Sequence, residues 1–244
     1  MLAGVLGVLA LATSMAVPSP TAGANPEAAS ARPETVVLLH GLGRSRNNMR
    51  ILAWRLEARG HRVCNIGYET RVSGIDNAVG EVKRKLADCA LDGDVVHFVT
   101  HSLGGLVLRA LLAAEPPGIP GRAVMLAPPN RGSEIADRLH QLGWLEPVMG
   151  SLAVQLGTDD DDLPQRLPAP SIPFGVIAGD YWINPAGPLW LPSPHDGTVS
   201  VASTRLEGMS DHIVLPYTHT FIVNAGPVAD QVDSFLRHER FDRD

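Results

Sequence analysis

Basic residues are the minority charge in this chain: 20 Lys and Arg stand against 26 Asp and Glu, a formal net charge of −6. There is no arginine-rich run or basic stripe, and aromatic residues make up only 5% of the sequence. Nucleic acid is therefore not an expected partner, because its binding calls for clustered cations and stacking rings. No G-x-G-x-x-G and no Walker lysine is present, so the common phosphate cradles are missing. The acidic run Asp159-Asp160-Asp161-Asp162 lacks the spacing and the glycine of a calcium loop and reads as a solvated turn. Cysteine is limited to Cys64 and Cys89. In an exported protein such a pair forms a disulfide, and otherwise the two are small buried hydrophobes; both readings stay open. No internal repeat is visible.

What is present begins with an apolar segment, Met1 to Val17, followed by Pro18, Pro20 and the small-x-small triplet Ala22-Gly23-Ala24. Residues 1–24 carry no charged side chain. The segment is shorter than the roughly 20 apolar residues of a membrane span and fits a secretory signal peptide cut after Ala24. The expected mature protein is secreted or periplasmic, with no stable membrane span. Residues 25–34, rich in Ala and Pro, read as a disordered lead-in, and 35–244 as one domain.

Within that domain short apolar runs alternate with helical spacings. Strands are expected at Thr35–Leu39, Arg62–Ile66, from Val95, at Arg122–Ala127, Phe174–Gly179 and His212–Tyr217. Helices are expected through Met49–Leu56, Asp76–Cys89, from Leu103, and around Val228–Leu236. This alternation predicts an α/β class: a mostly parallel sheet with helices on both faces. Residues from about 134 to 173 are irregular, with an apolar portion around Trp144 to Leu152, and form a small insert where a cap or lid would lie.

The segment Val95-Val96-His97-Phe98-Val99-Thr100-His101-Ser102-Leu103-Gly104-Gly105 changes from strand to helical spacing at a serine. A sharp strand-to-helix turn exposes that serine and aims the next backbone N–H at whatever it attacks. The usual pattern is G-x-S-x-G; here Gly104 is kept and Thr100 stands at the first glycine position. Alone, the feature fits a helix-capping serine equally well. Serine needs a base to take its proton, and a histidine base needs a carboxylate to orient it. The chain supplies Ser102, Asp196 and His219 in that order, each after an expected strand. Asp180 is the alternative acid. His212 is the alternative base, but it opens its strand and so lies at the wrong sheet edge. His101 adjoins the serine and cannot swing to its hydroxyl, His97 reads as a core residue, and His195 is a candidate pocket neighbour. His61, His140 and His238 carry no signal.

Four motifs give a specific resemblance: His40-Gly41-Leu42-Gly43, His101-Ser102-Leu103-Gly104-Gly105, Pro128-x-x-Arg131-Gly132-Ser133 and Asp196-Gly197-x-Val199. Over residues 35–240 the chain resembles bacterial α/β-hydrolases of the esterase/lipase group, with the last motif similar to the acid loop of triacylglycerol lipases. The resemblance implies the α/β-hydrolase fold and favours Asp196 over Asp180. It also implies that Leu42 and Leu103 give the oxyanion-hole N–H groups, in a turn supported by His40, Gly41, Gly43 and Gly104. The expected reaction is cleavage of a small-molecule or lipid ester with no metal or organic cofactor. Rival readings are an acyltransferase using the same acyl-enzyme and a non-catalytic binding protein on the same fold. Oligomeric state is not read from the sequence.

Overall fold

Six strands line up in the order β2-β1-β3-β4-β5-β6, and every pairing between neighbours is parallel. They are β1 (Glu34–Leu39), β2 (Arg62–Ile66), β3 (Val95–His101), β4 (Ile119–Leu126), β5 (Phe174–Gly179) and β6 (Asp211–Leu215). The computed structural model describes residues 34–71, 74–89, 93–114, 119–144, 146–147, 150–183 and 190–243. The expected signal peptide, its cleavage point and most of the lead-in lie outside the described residues.

Seven α-helices are described: α1 (Arg50–Glu57), α2 (Ile75–Ala87), α3 (Leu103–Ala114), α4 (Glu134–Gln141), α5 (Leu163–Arg166), α6 (Val201–Thr204) and α7 (Gly226–His238). Because successive strand residues point to opposite faces, the sheet sorts its side chains into two cores. Val37, Leu39, Phe98, Met125 and Val176 face α2 and α3 on one side. Val36, Leu38, Val99, Leu126 and Ile177 face α1 and α7 on the other. Burial on both faces explains why these strands read as continuous apolar runs rather than alternating ones.

Three element boundaries differ from the sequence reading. β1 starts at Glu34, inside the segment read as lead-in. β4 starts at Ile119 and runs through Pro120-Gly121, a dipeptide that normally breaks a strand. The register shifts there between Val96 and Phe98, and His97 Nδ1 accepts the N–H of Arg122 at 2.9 Å, so a side chain replaces the missing ladder bond. β6 ends at Leu215 because Pro216 has no N–H to continue it. The cysteine pair also resolves: Cys64 on β2 and Cys89 just past α2 are joined as a disulfide, with Cα atoms 5.9 Å apart.

The insert packs onto α3 through one buried cation. Arg109 is 2% exposed, and its guanidinium donates to the carbonyls of Asn130, Pro164, Leu167 and Pro168. Burial lowers its pKa to about 10.

Candidate active site

Ser102 sits between β3 and α3 with φ +53°, a left-handed conformation that a residue with a side chain adopts only at a cost of about 1–3 kcal/mol. Its N–H donates to Leu126 O at 2.9 Å, and its carbonyl accepts from Gly105 N at 2.9 Å, so neighbouring backbone holds the turn. A Cβ at position 104 would lie 2.5 Å from Leu39 O, which restricts the position to glycine. Thr100 fits where the first glycine of the pattern would stand because its neighbour is also small. A Cβ on Gly105 would meet Thr100 Oγ1 at 3.5 Å and Pro128 Cβ at 3.0 Å, so the second glycine of the pair makes the room.

His219 lies beyond the end of β6 and Asp196 in the loop before α6. His219 Nε2 is 3.0 Å from Ser102 Oγ, and its Nδ1 is 2.7 Å from Asp196 Oδ2. The other Asp196 oxygen accepts from Thr198 N at 2.9 Å and Val199 N at 2.8 Å. The two loops are also tied directly, His219 N donating to Asp196 O at 3.0 Å. The carboxylate is buried, and with Oδ1 held by two amides its Oδ2 is left to accept the imidazole N–H. Asp180, the alternative acid, is exposed at the end of β5 and makes no bond to His219 among the described residues.

Leu42 lies in the turn after β1 and lines the cavity over Ser102, and Leu103 directly follows Ser102. Leu103 is the first residue of α3, where amide protons have no partner within the helix. The turn that carries Leu42 is braced. The His40 ring donates from Nδ1 to Gly41 O at 3.0 Å and accepts from Tyr68 N at 3.3 Å through Nε2. Tyr68 stacks on that ring with centroids 4.4 Å apart and donates its hydroxyl to His40 O. Gly43 N donates to Thr70 Oγ1 at 2.9 Å. Burial pulls the His40 pKa down, which keeps the ring neutral and the tautomer fixed.

A cavity of about 190 Å³ opens over Ser102. Gly41, Leu42, Arg44, His101 and His219 line it, together with Ile135, Ala136 and Leu139 of α4 and Ala153 and Leu156 beyond it. The insert thus contributes to the lining of this cavity, through other residues than the apolar portion named from the sequence. Trp144 is 64% exposed, and Leu152 is buried in the core. His195, expected as a pocket neighbour, is buried against Trp182 and does not line the cavity. His212 is the second residue of β6, near Thr204 and away from Ser102.

Sequence reasoning missed three contributors. Tyr68 and Thr70 hold the His40–Gly43 turn, and His101 holds His219. Among the described residues no group of three or more His, Cys, Asp or Glu side chains is placed to hold a metal ion. No described helix is long and apolar enough to cross a membrane.

No family model and no curated protein matches the sequence. Solved structures do. The mature form of the Bacillus licheniformis lipase BlEst2 superposes with a TM-score of 0.65 at 19% identity, covering 85% of this chain and 92% of that one. The chain has the α/β-hydrolase fold. An extracellular α/β-hydrolase from a Paenibacillus species is similar at TM-score 0.55 and 16% identity, covering 86% of this chain and 100% of that one. A metagenomic carboxyl esterase, MGS0156, is similar at TM-score 0.65 and 14% identity, covering 86% and 77%. On the α/β-hydrolase fold, residues at the C-terminal ends of β1, β3, β5 and β6 converge on one sheet edge. That is where Leu42, Ser102, Asp196 and His219 all lie.

Proposed function

We propose that the chain is a serine hydrolase of carboxylic esters. The observation that carries this reading is the continuous hydrogen-bonded line from Ser102 Oγ through His219 to Asp196, at 3.0 and 2.7 Å. His219 takes the Ser102 proton as the hydroxyl oxygen attacks the ester carbonyl carbon. The oxyanion that forms is received by the N–H groups of Leu42 and Leu103, an arrangement in which one donor contributes roughly 10²–10³ in turnover. Asp196 holds the imidazole tautomer and stabilises the imidazolium. His219 then returns the proton to the leaving alcohol, and water, activated by the same base, releases the acid from the acyl-serine. The lipase and the carboxyl esterase among the solved neighbours act on bonds of this class. We place the mature protein outside the cytoplasm. Residues 1–24 have the composition of a signal peptide, and the Cys64–Cys89 disulfide suits an oxidising compartment.

Hydrolysis of p-nitrophenyl esters of increasing acyl length, by the mature chain and by Ser102→Ala, tests the reading. The expected result is turnover that falls by about 10³-fold or more in the variant, with labelling of the parent by a fluorophosphonate. Turnover that survives the substitution unchanged rules out Ser102 as nucleophile.

A further inference from the structure

Of the residues lining the cavity over Ser102, Arg44 alone carries a permanent charge, and no carboxylate lines it. Its backbone is fixed by a hydrogen bond from Arg44 N to Gly41 O at 3.3 Å. Among the described residues its guanidinium has no hydrogen-bond or carboxylate partner. Burial chiefly opposes protonation of His101 inside the site, and the Arg44 charge adds a smaller contribution in the same direction. In a chain of net charge −6, the charged residue lining this cavity is a cation, the sign that attracts an anion.

The cavity is also two-sided. Arg44 belongs to the turn after β1, whereas Ile135, Ala136, Leu139, Ala153 and Leu156 belong to the chain after β4. In the sheet, β1 and β4 flank β3 on opposite sides. The carbon attacked by Ser102 therefore lies between an apolar wall and a guanidinium. An acyl chain gains by lying on the wall, and this directs the alcohol part of the ester toward Arg44. A guanidinium offers a planar fork of donors that matches carboxylate and phosphate oxygens.

Building on the esterase reading, we propose that the site takes amphiphilic esters with an apolar acyl chain and an anionic group, carboxylate or phosphate, in the alcohol part, received by Arg44. The test compares para-(butyryloxy)benzoate with its uncharged methyl ester on the parent chain, Arg44→Gln and Arg44→Lys. The expected result is that the anionic-to-neutral ratio of kcat/KM falls roughly tenfold in Arg44→Gln, the worth of one charge-assisted hydrogen bond. The loss should lie in KM, Arg44→Lys should recover part of it, and added salt should shrink the parent's ratio.

A second pair, p-nitrophenyl hydrogen glutarate against p-nitrophenyl valerate, moves the anion to the acyl side, where no Arg44-dependent preference is expected. A ratio unmoved by Arg44→Gln overturns the inference while turnover of the neutral esters leaves the esterase reading standing. An Arg44-dependent preference only in the second pair overturns the assignment to the alcohol part. No turnover of any of the four esters by the parent chain sinks both readings.

Discussion

His101 Nε2 donates its proton to the backbone carbonyl of His219 at 2.9 Å, so the residue beside the candidate nucleophile holds the residue that faces it. The two rings lie 4.9 Å apart, and burial together with the His219 charge keeps the His101 pKa well below its ordinary value. A neutral His101 with its proton on Nε2 fixes the height of the His219 loop over Ser102. Replacing His101 by Leu removes that donor, and kcat is expected to fall roughly ten- to a hundredfold with a smaller change in KM. His101→Gln, which keeps a donor, should recover part of the loss. Steady-state kinetics on both variants, beside their thermal unfolding, checks this; equal kcat in parent and Leu variant would remove the positioning role.

Gly104→Ala is expected to destabilise by about 1–3 kcal/mol or more, because the new methyl would stand 2.5 Å from Leu39 O and 3.0 Å from His40 O. Both obstructing atoms are backbone, one at the end of β1 and the other in the turn that leads to Leu42, so activity should drop as well. Gly80→Ala is the control. Gly80 lies inside α2 with open space around it, and the same change there should stabilise by about 1 kcal/mol. Urea midpoints for the two variants give opposite signs if this packing is correct.

Mild acid should weaken the fold through its buried histidines. Burial lowers the pKa of His40, His101 and His212, the last to about 4 from an ordinary 6.5. The unfolded chain therefore binds more protons than the folded one between those two values, and stability rises with pH across that window. Urea midpoints at about pH 5 should fall below those at about pH 7.5, and His212→Asn should flatten part of the slope.

The disulfide spans 25 residues, and joining the chain over that distance stabilises by about 3 kcal/mol through the unfolded state. The double variant Cys64→Ser, Cys89→Ser should melt lower by a corresponding amount, and the parent should show no free thiol after denaturation. A parent with two titratable thiols would contradict the bridge.

Local pattern made much of the fold legible. β2 and β5 fall where their own residues place them: β5 is buried along its whole length, and β2, at the sheet edge, buries Cys64 and Ile66 on one face. β4 begins earlier than its sequence suggests because what rescues Pro120-Gly121 is His97, 24 residues away from Gly121 on another strand. The same reason explains the site. Ser102, Asp196 and His219 announce themselves by residue type, order and place after a strand, and the structure brings them together. His101 and Tyr68 announce nothing, because each acts through a hydrogen bond to a backbone carbonyl, which any residue offers. Arg109 reads in the sequence as one more helical cation. Its four carbonyl partners lie 21 to 59 positions away, in the short helix α5 and the loops beside it and after β4, none of which pairs with Arg109 by any sequence pattern.

The buried Arg109 limits how the insert beside the cavity can deform. Its counter-charge is a ring of peptide dipoles supplied by the exit of the insert, with no carboxylate taking part among the described residues. Swinging residues 163–168 outward would leave a cation stranded beneath α3, at a cost of several kcal/mol. Any breathing of the insert is thus confined to the stretch ahead of Leu163, which is the stretch that supplies Ile135, Ala136, Leu139, Ala153 and Leu156 to the cavity.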